Sequence, residues 1–181
     1  MAVEKLTLDR MPSPLGEIFI VTDDRGRVRV IEFGDDDERM TRMLHRHCGV
    51  KNPAMAEVHI ASATRQALEH YFAGNLHAID ELRVEIAGTE FQRAVWSALR
   101  AIPVGATISY GELARRIGRP NAVRAVGMAN GANPIAIVVP CHRVVGADGS
   151  LTGYGGGLER KRWLLAHERA EIARFRKPEV A

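Results

Sequence analysis

Ser109-Tyr110-Gly111-Glu112-Leu113-Ala114-Arg115-Arg116-Ile117-Gly118-Arg119-Pro120-Asn121-Ala122-Val123-Arg124-Ala125-Val126-Gly127-Met128-Ala129-Asn130 decides the fold of the second half of the chain. Ser109, with Glu112 three residues on, forms a capping-box pattern that opens a helix over Tyr110–Ile117. Gly118-Arg119-Pro120 supplies a tight turn, and Asn121 is expected to cap a second helix reaching about Asn130. Two short helices joined in this way are a helix-turn-helix signature. The second helix is small and apolar, with one cation, Arg124. A reader of base edges in the major groove presents several polar side chains, so this helix suits close, sequence-indifferent contact.

Downstream, Asn133-Pro134 precedes an apolar run, Ile135-Ala136-Ile137-Val138-Val139, and then Pro140-Cys141-His142-Arg143. The run predicts a buried strand with Cys141 at its end. A thiol reacts as its thiolate, which neighbouring cations favour. His142 is adjacent, but neighbours on a regular strand point to opposite faces, so Cys141 and His142 act together only if the chain turns there. Asn133 has a side-chain amide able to hold such a turn. Glu168 is a carboxylate available to orient the histidine, as in a triad. The residues alone leave Cys141 with two readings, nucleophile or packed core thiol.

Gly153-Tyr154-Gly155-Gly156-Gly157 either cradles a phosphate or lets backbone approach a flat ligand. The spacing is neither Walker nor Rossmann, which argues against a nucleotide cofactor. Leu158–Glu168 reads as the last helix, with Arg160-Lys161-Arg162 as a solvated face. Tyr110 is either a packing aromatic or a hydroxyl near nucleic acid, and Arg124 is either a surface cation or one inserted into DNA.

Upstream, Leu6–Leu8, Glu17–Thr22 and Val28–Phe33 alternate around turn residues and predict a hairpin or meander. Asp36–His47 has helical composition. Ile60, Thr64, Ala67, Leu68 and Tyr71 mark an amphipathic helix ending near Gly74. Thr89-Glu90-Phe91-Gln92 is a second capping box, opening a helix whose apolar face is Phe91, Val95, Trp96 and Leu99.

The 181 residues suffice for one large domain or two small ones. Residues 1–86 carry 11 Lys/Arg against 15 Asp/Glu, and residues 87–181 carry 14 against 7. A basic second half is a footprint for a polyanion. The apolar run before Cys141 is far short of a membrane span, the N-terminus lacks a signal-peptide pattern, and two cysteines suit a reducing compartment. The expectation is a cytoplasmic protein. Cys48, in Leu44-His45-Arg46-His47-Cys48-Gly49, matches no zinc template and reads as a helix end.

These motifs resemble the O6-alkylguanine-DNA alkyltransferase (methylated-DNA–protein-cysteine methyltransferase) family. Asn133-Pro134-Ile135, Val138–Val145, Gly153–Gly157, Trp163–Glu168, Phe91–Trp96 and Arg124–Gly127 follow that family's order. Tyr71-Phe72-Ala73-Gly74 agrees in the first half, which is otherwise a looser match. The resemblance implies an α+β protein in two domains, and residues 171–181 read from their composition as a charged tail. Residues 1–86 would be an α/β domain with a small antiparallel sheet of ribonuclease-H-like layout. Residues 87–170 would be a mostly helical winged helix-turn-helix domain.

It also implies single-use transfer of an alkyl group from O6 of guanine (less readily O4 of thymine) to Cys141, by a monomer acting on double-stranded DNA. His142 would be the base through a water, Glu168 its polariser, Asn133 the brace of the turn, and Tyr110 the donor at N3 of the departing guanine. Arg124 would replace the flipped nucleotide, with Tyr110, Asn121 and Ala122 beside it on the DNA. The carbonyls of Cys141 and Val144, the Gly155 N–H and Tyr154 would line the alkylguanine pocket. No cofactor, metal or membrane is implied. Some members have serine where Gly155 stands, which leaves this pocket roomier. A lesion-binding module without transfer, a Cys-His-Glu hydrolase and a plain DNA-binding regulator are the competing readings; Cys141 argues against the first, turnover separates the second, and the unreadable second helix disfavours the third.

Overall fold

The computed structural model describes residues 6–35, 37–48, 56–57 and 62–169. Asp36 and Ile60, expected in helices, and the expected tail at 171–181 lie outside them. The chain forms two compact units. One comprises the described residues of Met1–Arg93 together with Asn133–Val138; the other comprises Ala94–Ala132 and the described part of Val139–Ala181.

The first unit is built on strands β1 (Leu6–Ser13), β2 (Gly16–Asp23) and β3 (Val28–Phe33), with helix α1 (Asp37–Cys48), the short strand β4 (Ala56–Glu57) and helix α2 (Ala63–Phe72). The sheet order is β3-β2-β1-β4. The first three strands form the expected antiparallel meander, whereas β4 adds a parallel edge along Thr7 and Leu8. Leu6, Leu8, Phe19, Val21 and Val30 pack on one face with Met40, Met43 and Leu44 of α1. The strand residues recur at period two and the helix residues at i, i+3, i+4, so each element turns a single face to the same core. Ile18, Ile20 and Ile31, on the opposite alternation, are equally buried. A sheet covered on both sides needs such near-continuous apolar strands. Ser62 caps α2 by accepting the Arg65 N–H.

Ile135 makes a single parallel bridge to Ile31, and Ala136–Val139 form turns. The predicted strand is therefore absent. The Val138 N–H bonds the Ala136 carbonyl at 2.8 Å around Ile137, whose φ is +71°. This is a γ-turn with positive φ, a rare and strained geometry for a β-branched residue. Asn133 offsets part of the lost strand pairing: its side chain accepts the Ile135 N–H at 3.0 Å and donates to the Ile135 carbonyl at 3.3 Å.

The second unit holds most of α3 (Glu90–Arg100), then β5 (Ile108–Ser109), α4 (Tyr110–Arg116), α5 (Val123–Gly131), a 3-10 turn (Cys141–Arg143), β6 (Val144–Val145) and α6 (Leu158–His167). β5 and β6 pair in parallel. The capping box that opens α3 is reciprocal: Gln92 N–H to Thr89 Oγ1 at 3.2 Å, and Thr89 N–H to Gln92 Oε1 at 3.0 Å. Ser109 accepts the Glu112 N–H at 3.1 Å, while the Glu112 carboxylate turns to Arg115 and Arg116.

Asn121 does not cap α5. Ala122 holds that position without a side-chain bond, because Ala122 N–H to Arg119 O extends the interhelical turn through Asn121. The turn and α5 remain those of a helix-turn-helix, with the Trp96 indole N–H anchoring the Ala129 carbonyl at 2.9 Å.

Candidate active site

The required turn lies at Cys141. Pro140 sits at φ −80°, ψ 64°, and the Cys141 N–H bonds the Val139 carbonyl at 2.8 Å. Those angles belong to an inverse γ-turn, which proline's fixed φ favours. Cys141–Arg143 then wind into 3-10 geometry, all three buried. Neighbours on such a turn no longer point to opposite faces, so the reason for doubting the Cys141–His142 pair disappears.

Glu168 closes α6 and is 2% exposed. Its Oε1 accepts from His142 Nε2 at 3.0 Å and from Arg143 Nη2 at 2.8 Å, and its Oε2 accepts from Arg143 Nε at 2.8 Å. The third guanidinium arm reaches the Ile102 carbonyl. Burial opposes the carboxylate's charge, but the His142 and Arg143 hydrogen bonds outweigh it and hold the Glu168 carboxyl far below the usual carboxylate range. Full burial pushes His142 the other way, toward the neutral imidazole, with Glu168 opposing and Arg143 and Lys161 assisting. A neutral ring that donates from Nε2 to an ionised carboxylate carries its lone pair on Nδ1. That atom is buried and has no hydrogen-bond partner among the described residues.

Lys161 contradicts the solvated-face reading of Arg160-Lys161-Arg162. It is fully buried, and its Nζ donates to the carbonyls of Val144 at 2.6 Å and Thr152 at 2.8 Å. Burial lowers its pKa to about 8, against an opposing attraction from the charge of Cys141. An ammonium that close to the thiol favours the thiolate. A signal for Lys161 exists in the sequence: Lys161, Leu164, Leu165 and Glu168 follow i, i+3, i+4, i+7, so lysine and glutamate bracket the apolar stripe of α6. Arg143, noted only as a basic neighbour, is the second charged residue that the motif reading undervalued.

Tyr110 starts α4, with its hydroxyl 3.4 Å from the Thr152 carbonyl. Burial raises its pKa, and the charge of Cys141 raises it further. Val144 is fully buried. Gly155 is exposed and Tyr154 half-buried, in a loop closed by Gly157 N–H to Tyr154 O. Gly157, at φ +89°, starts α6 from a conformation that favours glycine. Asn121, Val123, Arg124 and Ala125 are exposed, Ala122 is half-buried, and Arg124 forms no hydrogen bond or ion pair with the described residues.

Cys141, His142, Glu168, Val144 and Tyr110 thus share one constellation in the second unit. Asn133 lies in the other unit, where its side chain braces Ile135. Among the described residues no group of three or more His, Cys, Asp or Glu side chains is placed to hold a metal ion. No described helix is long and apolar enough to cross a membrane.

A buried, cation-flanked thiol in a helix-turn-helix unit defines a group acceptor served by a nucleic-acid-binding fold. Residues 90–170 match the DNA-binding domain of 6-O-methylguanine DNA methyltransferase, and residues 8–86 match its ribonuclease-like domain. The methylated-DNA–protein-cysteine methyltransferase of Salmonella typhimurium is 49% identical over 164 residues, which is 91% of this chain and 96% of the relative. That of Mycolicibacterium paratuberculosis is 63% identical over 109 residues, 60% of this chain and 65% of the relative. The crystal structure of Mycobacterium tuberculosis OGT in complex with DNA superposes with a TM-score of 0.76 at 40% identity, covering 90% of this chain and 92% of that one. The chain belongs to the methylated-DNA–protein-cysteine methyltransferase family.

Proposed function

We propose that the alkyl transfer of this family runs through Cys141, and that the protein reverses O6-alkylguanine damage in double-stranded DNA in a single use. The observation that carries this reading is the buried turn at Cys141, locked to Glu168 through His142 and Arg143. His142 Nδ1 takes the thiol proton through a water, and Glu168 stabilises the resulting imidazolium. The sulfur forms the S–C bond as the O6–C bond breaks. The electron pair stays on guanine, which receives a proton at N3 from Tyr110. The phenolate then regains a proton from solvent, and His142 returns the one it took. A thioether is a poor leaving group, so Cys141 is not regenerated.

The target oxygen lies inside the duplex, so the nucleotide must be extruded. Arg124 fills its place in the stack, with Asn121, Ala122 and Tyr110 near the backbone. The small residues of α5 suit a shallow minor-groove approach. The Cys141 and Val144 carbonyls, the Gly155 N–H and Tyr154 receive the base, and Asn133 braces the approach to the turn. The working domains are residues 1–86 and 87–170, with 171–181 a tail. The protein acts as a monomer in the cytoplasm.

Methyl-labelled O6-methylguanine duplex tests the reading. One equivalent of label per protein is expected, on the Cys141 peptide by mass spectrometry; turnover beyond one equivalent, or label elsewhere, overturns it. Arg124→Ala should leave reaction with the free base intact and slow duplex repair by about 10²-fold, since extrusion costs a few kcal/mol.

A further inference from the structure

Asn130 is a buried polar residue that the steps above do not use. It lies in the last turn of α5 and is 3% exposed. Its Nδ2 points at the carbonyl of Cys141 from 3.5 Å. That carbonyl also takes the Val144 N–H, which sets its direction on the turn. The Asn130 amide also faces the Tyr110 hydroxyl closely enough to favour the ionised phenol, against the burial that opposes it. The Tyr110 ring lies 3.9 Å from where a Cβ on Gly127 would stand, one turn back on the same helix. Trp96 fixes that helix end through Ala129. The Asn130 Oδ1 has no hydrogen-bond partner among the described residues. A buried carboxamide costs stability when half-satisfied, and an apolar side chain of similar size would fill this position without that cost.

We propose that Asn130 is a positioning residue for the transfer: its carboxamide holds the Tyr110 hydroxyl and the Cys141 carbonyl in one constellation, so that the phenol delivering a proton to the departing guanine is fixed relative to the accepting sulfur. The inference rests on the assigned role of Tyr110. Asn130 itself touches neither sulfur nor alkyl group. Because α5 also carries Arg124, the contact joins the helix that meets DNA to the turn that accepts the alkyl group.

The test uses the full chain in single-turnover transfer from O6-methylguanine duplex, with Asn130→Ala and the similarly sized Asn130→Leu, which donates no hydrogen bond at any pH. Iodoacetamide labelling of Cys141 is the control, because iodide departs without a proton. Each variant is expected to slow transfer about tenfold, with iodoacetamide labelling and duplex affinity within twofold of wild type. In a Tyr110→Phe background, either change should cost less than twofold. The alkaline limb of the Asn130→Ala rate profile should move to higher pH, since a donor to the phenol oxygen is gone. Wild-type rates in both variants overturn the proposal. So does a full tenfold loss in the Tyr110→Phe background, or a parallel fall in iodoacetamide labelling. Should Asn130→Ala fail to fold, Asn130→Leu decides alone. If the wild-type chain transfers nothing to Cys141, the functional reading itself has failed and the role of Asn130 falls with it; an active wild type matched by both variants fails the role of Asn130 alone.

Discussion

Two buried carboxylates, Asp23 in the first unit and Glu168 in the second, are both held below their ordinary pKa, yet they do different work. Asp23 spends its oxygens on its own hairpin: Oδ1 accepts the Arg25 and Arg27 N–H groups at 3.0 and 2.9 Å, and Oδ2 accepts Arg27 Nε at 2.7 Å. Burial resists its charge and those bonds overcome it. Glu168 reaches partners 25 and 26 residues away, on the turn that presents Cys141. Its histidine keeps a buried ring nitrogen for which the described protein supplies no partner. A carboxylate saturated by neighbouring backbone shapes a turn. One that orients an imidazole beside a thiol shapes a reaction.

The sharpest separation comes from Cys141→Ser. Label transfer should fall below detection, because a hydroxyl is a weak nucleophile at its own pKa, while the unfolding free energy stays within about 1 kcal/mol of wild type. Glu168→Gln should damage both properties. It leaves the Arg143 guanidinium buried without an ionised partner, which costs about 3–5 kcal/mol, and it removes the anchor of His142, so transfer should slow by at least about 10²-fold. Denaturant titration and single-turnover kinetics on the same sample read the two effects.

Asp23→Asn is the counterpart. It should lose about 1–3 kcal/mol and leave the transfer rate of the folded protein within twofold. A rate loss like that of Glu168→Gln would erase the distinction. Acid should weaken both sites in the same direction. A carboxylate whose folded pKa is depressed contributes stability above its unfolded value, 3.8 for Asp23 and 4.5 for Glu168, and loses it as pH falls toward the folded value. Wild type should therefore lose more stability than Asp23→Asn on going from pH 6 to pH 3, measured by chemical denaturation.

The same pair shows what could be read in advance. The hairpin around Asp23 was legible because Glu17–Thr22 and Val28–Phe33 flank turn residues, and register follows from alternation. The Thr89–Gln92 capping box and the Ser109 cap were legible because their chemistry is local, but the Glu112 carboxylate does not close the second box, because Arg115 and Arg116 take it. Ile135–Val139 misled because an apolar run records burial, not conformation. The turns there depend on Asn133 bracing Ile135 and on Pro140, each a single residue. Asn121 misled because the interhelical turn runs one residue further than Gly118-Arg119-Pro120 suggests. Glu168 emerged as a candidate only as a carboxylate within a motif; its ion pairs span the fold, and no local pattern encodes them. Lys161 hid inside a basic run whose two flanking arginines do lie nearer the surface.

Lys161 yields the smallest change in stability and tests the comparison from the other side, since it is a buried charge whose hydrogen bonds go to carbonyls. Its folded pKa, about 8, lies below the ordinary 10.5. Between those values the unfolded chain binds the extra proton, so the lysine's cost to folding is constant below pH 8 and fades as pH rises through that window. Lys161→Met removes both the cost and the pH dependence. The difference in unfolding free energy between wild type and Lys161→Met should be flat from pH 6 to 8 and then turn in favour of wild type by up to about 2 kcal/mol by pH 10. Transfer at neutral pH should slow about tenfold, because the ammonium beside Cys141 is lost and the Val144 carbonyl is no longer tethered. A flat difference up to pH 10 would mean that Lys161 titrates as a solvated lysine does, and its charge would then have little hold on the thiol.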